Sequence, residues 1–162
     1  MELLGLFNKE GEYLNKNIVR GNKDFKDGEY IKLATIWIKN DDQYLIQKCS
    51  QQKGGEYAVS GGHVTDGNSS KEQAVLELNE ELGLNVDIND LRFLGNIYRP
   101  HAIFDVYLVK DVNFDIHKCI LQESEVDSVY WLTIDDIEKL INSDEFRPSS
   151  ALQFNKFIKT NQ

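Results

Sequence analysis

Gly61–Leu84 reads GGHVTDGNSSKEQAVLELNEELGL, and the fold of the chain turns on this stretch. It predicts a short glycine-led strand, a loop and one helix. Ser69 with Glu72, or Ser70 with Gln73, has the capping-box spacing that starts a helix. Gly83 is placed to end it in a left-handed cap. Ala74, Val75, Leu78 and Leu82 recur at helical spacing and mark a stripe that faces a core. Glu77 stands three residues before Glu80 and four before Glu81, so all three carboxylates can share the opposite rim.

Carboxylates stacked in this way repel by roughly 0.2–0.5 kcal/mol per pair. No lysine or arginine lies between Glu72 and Arg92 to offset them. Charged helix faces are ordinarily solvated and nothing more. The alternative is a divalent cation: a hard ion such as Mg²⁺ takes carboxylate oxygens and keeps water and substrate phosphate as further ligands.

The spacing resembles the Nudix box, G-x5-E-x7-R-E-U-x-E-E-x-G-U, where U is a bulky aliphatic residue. Gly62, Glu77, Leu78, Glu80, Glu81, Gly83 and Leu84 fall on matching positions. Asn68 stands where the family has glutamate, and Leu76 where it has arginine. In the family these two look like a supporting pair that pins the loop to the helix. Here both charges are missing together, whereas losing one alone strands a partly buried charge. The expectation is that Leu76 packs apolar surface and that Asn68, next to Gly67, takes a turn.

The resemblance implies an α/β/α sandwich with a mixed sheet, with the box helix across it. It also implies hydrolysis of a diphosphate linked to another group, by water attack at phosphorus with Mg²⁺ or Mn²⁺. On it, Glu77 and Glu81 are the metal ligands, Glu80 is a third or bridging carboxylate, and Gly61 offers a backbone carbonyl. A further carboxylate often comes from the loop before the last strand. In LQESEV, residues 121–126, Glu123 and Glu125 are both candidates for general base or extra ligand. The substrate is a small-molecule nucleoside diphosphate derivative or related pyrophosphate. The two departures keep a second reading open, a Nudix-fold binding module without hydrolysis.

The opening half resembles the isopentenyl-diphosphate-isomerase-like branch of the same family, with a hairpin ahead of GEYIKLATIWI and YLIQKCS. True isomerases carry a reactive cysteine immediately before the box Gly-His. Gly61 stands there in this chain, and Cys49 and Cys119 match no such motif. Only the scaffold is carried over, and isomerase chemistry is the least favoured reading. His63 is expected to be a structural hydrogen-bonding residue and His117 to be inert.

A chain of 162 residues with 41% hydrophobic content suits one soluble domain, residues 1–162. The net charge of −9 argues against general nucleic-acid binding, which needs a basic face. No apolar run approaches a membrane span, and two cysteines make no disulfide framework, so a cytoplasmic setting is expected. Oligomeric state is open, a homodimer included.

Taken in order, residues 2–7 and 13–20 predict an N-terminal hairpin within an extension over 1–29. Residues 31–39 and 43–48 predict two strands around Asn40-Asp41-Asp42. Trp37 is expected in the core. Strands follow at 91–98, 102–110 and 126–132. Thr133 caps a helix over 134–142, and Pro148 opens a last helix over 149–160 with Ala151, Leu152, Phe154, Phe157 and Ile158 on its apolar side. The sequence, an α/β chain with an N-terminal β-hairpin, offers Lys48, Arg99 and His101 as candidate phosphate or base contacts. Lysines and turn residues are usually just exposed.

Overall fold

The computed structural model describes residues 2–65 and 67–160. β1 (Leu3–Phe7) and β2 (Tyr13–Val19) form an antiparallel hairpin outside the main sheet. Its turn is set by Asn8, whose Oδ1 accepts from the N–H groups of Glu10 and Glu12. Leu4, Leu6 and Ile18 give the hairpin a small core of its own with Phe25 and Ile31. Paired backbone bonds between Phe7 and Tyr30, at 2.8 and 2.9 Å, stitch it to the domain.

The main sheet contains β3 (Ile31–Asn40), β4 (Gln43–Cys49), β5 (Tyr57–Ala58), β6 (Ser60–His63), β7 (Arg92–Arg99), β8 (Ala102–Lys110) and β9 (Val126–Thr133). Its path runs β5-β4-β3-β8-β7, with β6 on β3 and β9 on β4. The sheet is mixed: β3 runs parallel to β8, and the other pairings are antiparallel. β3 and β4 pair only at Lys39–Tyr44 and Asn40–Gln43. Beyond that hairpin end, β6 takes up the other half of β3, from Ile36–Ser60 to Leu33–His63. The chain then leaves the sheet into the loop and the helix α1 (Ser70–Leu82).

Side-chain alternation on β3 sorts two cores. Ala34, Ile36 and Ile38 face α1, meeting Ala74, Leu78 and Leu82. Trp37 faces the other way, with Ile46, Val106 and the side chains of α2 (Ile134–Asn142) and the C-terminal segment. Helices on both faces of a mixed sheet make the α/β/α sandwich that was expected. No helix among the described residues is long and apolar enough to cross a membrane.

The C-terminal helix differs from expectation. α3 (Pro148–Gln153) passes into a π turn over Phe154–Ile158. Leu152, placed on the apolar side by its spacing, is 42% exposed, and Gln153 is fully buried. The amide Oε1 of Gln153 accepts from Thr35 Oγ1 at 2.8 Å and from Trp37 Nε1 at 3.0 Å. A buried indole N–H needs an acceptor, and Gln153 is the residue that supplies it. The wider π turn follows at once and still seats Phe154, Phe157 and Ile158 on the sheet.

Candidate active site

α1 is positioned at both ends. Ser69 Oγ accepts from the Glu72 N–H at 3.1 Å, and the Glu72 carboxylate accepts from the Ser69 N–H at 3.0 Å. This is the first of the two capping boxes that the spacing allowed. At the other end Gly83 takes φ +68°, and its N–H reaches the Asn79 carbonyl. The carbonyls of Leu82 and Glu81 accept from the N–H groups of Ile120 and Gln122, at 3.0 and 2.9 Å. The loop ahead of β9 is therefore hung on the C-terminus of α1. A turn from Gln122 to Glu125, closed by the Glu125 N–H at 2.8 Å, follows directly.

With its apolar stripe buried, α1 turns Glu77 and Glu81 toward β6. Glu81 is 6% exposed. Its Oε1 accepts from Ser60 Oγ at 2.5 Å and from the Gly61 N–H at 3.2 Å. Burial pushes its carboxyl up to about 7; the Ser60 hydroxyl pulls the other way and the neighbouring Glu77 adds to the rise. Burial also raises Glu77, against a hydrogen bond from Gln73. A Cβ on Gly62 would run into the Glu77 carboxylate, so glycine here leaves that carboxylate its present place against β6.

Glu77, Glu80, Glu81, Gln122 and Glu125 line one cavity of about 210 Å³ together with Gly61 and Gly62. Glu125 is held by Lys53, Nζ to Oε1 3.3 Å. His63 lines the same cavity, and burial lowers its pKa. Glu123 is exposed and lies outside this lining. Lys48, Arg99 and His101 lie outside it as well. Lys48 sits over the Tyr57 ring at 5.6 Å, and Arg99 is exposed at the end of β7. His101 takes φ +58° in the turn after β7, bonds the Glu29 carbonyl through Nδ1 at 2.8 Å and stacks on Phe25.

The loop and helix are joined, but not as expected. Leu76 is 39% exposed and does not pack into a core. Asn68 instead donates to Gln73 Oε1 at 3.1 Å, as does Thr65 Oγ1 at 3.1 Å. Gln73, 2% exposed, passes a hydrogen bond on to Glu77 Oε1 at 2.8 Å. The signal was present in the sequence, since Gln73 stands one helical turn before Glu77. Glu2 and Arg20 also line the cavity, through the N-terminal hairpin. They could not have been found from local pattern, because the docking that brings them there is tertiary.

Among the described residues, no group of three His, Cys, Asp or Glu side chains already stands in ligating geometry. The carboxylates are held by nearby donors, Glu81 by Ser60 and Gly61, Glu77 by Gln73. The donor set nevertheless suits a hard divalent cation. It is all oxygen, it is partly desolvated, and α1 has no basic residue in its last turn to balance Glu80 and Glu81.

Comparison with known proteins bears on the fold and the family. The NUDIX domain model matches residues 30–153. An uncharacterized Nudix hydrolase of Listeria innocua is 34% identical over 155 residues, covering 91% of this chain and 89% of its own. A crystal structure from Deinococcus radiodurans superposes with a TM-score of 0.78 at 20% identity, over 97% of this chain and 99% of that one. A bifunctional NMN adenylyltransferase/ADP ribose pyrophosphatase of Francisella tularensis, complexed with AMP and Mn ion, superposes with a TM-score of 0.69 at 15% identity. That match covers 85% of this chain and 43% of the other. These matches do not reach the isomerase-like branch. The box spacing, the glutamates it gathers beside β6 and the match over 30–153 lead to one conclusion: the chain belongs to the Nudix family.

Proposed function

We propose that this chain is a divalent-metal-dependent hydrolase of a nucleoside diphosphate derivative or related pyrophosphate. The observation that carries the reading is the convergence of Glu77, Glu80 and Glu81 from α1 with Glu125 from the loop before β9 on one cavity. Phosphoryl transfer asks for charge neutralisation and in-line positioning more than for covalent help. Glu77 and Glu81, with Glu80 at the rim and the Gly61 carbonyl beside them, would hold Mg²⁺ or Mn²⁺. When bound, such an ion neutralises charge on the phosphoryl oxygens and lowers the pKa of a coordinated water.

The chain's own residues supply the rest. Glu125 comes from the loop tied to the C-terminus of α1, lines the cavity where Glu123 does not, and is the better placed of the two loop acids to accept a proton from the attacking water. Lys53 holds it from outside. Ser60 and the Gly61 N–H fix the Glu81 carboxylate, and Gln73 fixes Glu77. The loss of the family's glutamate–arginine pair therefore need not loosen the site, and this favours a hydrolase over a binding module. The test is a panel of diphosphate compounds with Mg²⁺ and Mn²⁺, native protein beside Glu81→Gln. Turnover that needs metal and disappears in the variant is expected. No product from any compound with metal supplied would overturn the reading.

A further inference from the structure

The open end of the N-terminal hairpin faces the carboxylate cavity. Glu2 precedes β1 and Arg20 follows β2, and both line the cavity with Glu77, Glu80 and Glu81. The Arg20 N–H bonds the Glu2 carbonyl at 2.9 Å, and Arg20 Nη1 donates to Glu2 Oε2 at 2.8 Å. Their side chains are 48% and 44% exposed. Arg20 is the only lysine or arginine among the described residues of that lining.

A polyanionic substrate entering here meets five glutamates, Glu2, Glu77, Glu80, Glu81 and Glu125. It needs a cation beyond those the box recruits. A guanidinium presents paired N–H donors in a fixed fork that suits carboxylate and phosphate alike. Glu2 Oε2 thus occupies a position that a phosphate oxygen can take, and a solvent-exposed ion pair is readily exchanged.

The turn end of the same hairpin lines a second cavity, of about 290 Å³. Gly5, Phe7 and Tyr13 form its hairpin side, opposite Thr65, Gly67 and Asn68. The Phe7 and Tyr13 rings lie 5.8 Å apart and tilted by 52°. Thr65 lines both cavities, so they adjoin. From Leu3 to Phe7 an extended strand covers about 13 Å, so the two adjoining cavities sit at the two ends of one short strand.

We infer that the hairpin is the substrate-recognition arm of this site. Arg20 takes a phosphate in the place Glu2 now holds, and the Phe7–Tyr13 cavity receives a flat ring linked to that diphosphate, which selects nucleoside diphosphate derivatives over simple pyrophosphates. The inference rests on the proposed function for its choice of ligand.

The test is equilibrium binding with Mg²⁺ present, using two probes that cannot be cleaved: methylenediphosphonate and α,β-methylene-ADP. Native protein should bind the nucleoside probe more tightly. Arg20→Ala should weaken both probes by about tenfold or more, tenfold being the low end of the worth of a charge-assisted hydrogen bond. Arg20→Lys keeps the charge without the fork and should recover part of the loss. Glu2→Gln should leave both affinities at least as high as in the native protein. Tyr13→Ala should weaken only the nucleoside probe, by about fivefold or more, as base–aromatic stacking does.

Unchanged binding of both probes in Arg20→Ala overturns the phosphate assignment. Equal effects of Tyr13→Ala on the two probes, or none, overturn the ring assignment. Because neither probe is cleaved, failure of hydrolysis would remove the proposed activity and leave these binding results standing. Active hydrolysis with native affinities in Arg20→Ala would do the reverse.

Discussion

Gln73 donates from Nε2 to Glu77 Oε1 at 2.8 Å, and through its Oε1 it gathers Asn68 and Thr65 on the loop side. One buried amide thus joins the loop to a candidate metal ligand. Gln73→Leu keeps roughly the volume and removes every one of these bonds. Leaving buried polar groups unpaired costs about 1–3 kcal/mol. Groups that orient a metal ligand are worth about 10–100-fold in affinity or activity. Gln73→Leu is therefore expected to lower both the melting temperature and metal-dependent kcat. Native kcat in a folded Gln73→Leu protein would show that Glu77 needs no orienting partner.

Leu76 gives the opposite expectation. At 39% exposure it has solvent to extend into, so Leu76→Arg should change stability by no more than about 0.5 kcal/mol. Asn68→Glu alone places a carboxylate beside Gln73 Oε1, where a donor now stands, and should destabilise by about 1 kcal/mol or more. If an arginine at position 76 can reach that carboxylate, the double variant recovers part of the loss. A double-mutant cycle on urea midpoints measures the coupling. Strictly additive effects would mean that Gln73 has replaced the pair so fully that the two positions no longer communicate.

Gly62→Ala tests the close approach of β6 and α1. The added Cβ meets the Glu77 carboxylate itself, and overpacking of this kind costs about 1–3 kcal/mol. The carboxylate is the movable party, so activity should suffer more than the fold. Turnover measured beside thermal melting should show kcat lost while most of the cooperative transition remains. Comparable turnover in Gly62→Ala and native protein would place the Glu77 carboxylate outside the catalytic geometry.

The helix that carries the site was legible because it obeys local rules: the Ser69–Glu72 box, the stripe of Ala74, Leu78 and Leu82, and the Gly83 cap all depend on neighbours in sequence. Arg20 and Glu2 were not legible, because their approach to Glu77 depends on how the hairpin docks. Leu76 was misjudged because its expected burial came from chemical type, and α1 presents that position to solvent. Gln153 was overlooked for the converse reason. It is a polar residue in an apolar stretch, buried to serve Thr35 and Trp37, which are far away in sequence.

Gln153→Leu accordingly leaves the Thr35 hydroxyl and the Trp37 indole N–H buried without their acceptor. At about 1–3 kcal/mol for each of the two groups left unsatisfied, the loss should reach about 2–6 kcal/mol. Trp37 lies in the core on the side of the sheet away from α1. The folded fraction should therefore keep its KM and kcat. Denaturation curves compared with rates per folded molecule separate the two effects, and a stability change within about 0.5 kcal/mol would show that the tie is replaceable.

Glu81 makes the stability of the metal-free protein depend on pH in a defined direction. Its carboxyl titrates at about 7 when folded, against an ordinary value of 4.5. Between those values the unfolded chain has lost the proton and the folded chain keeps it. Unfolding then releases a proton, so stability falls as pH rises across this window, by at most about 3 kcal/mol for a shift of this size. Glu77, also raised by burial, adds a slope of the same sign. Glu72 and Asp136 are lowered by their capping bonds, so their contribution is lost only as pH falls below the ordinary carboxylate range. Glu81→Gln cannot ionise. It should flatten the fall above pH 4.5, leaving the part due to Glu77, and should melt higher than the native protein at pH 8 without metal. Adding Mg²⁺ at pH 8 should stabilise the native protein by linkage and the variant much less. Metal-dependent turnover should be absent in the variant. The same pH slope in both proteins, with the same response to Mg²⁺, would mean that Glu81 is not the buried, charge-starved carboxylate on which the metal site depends.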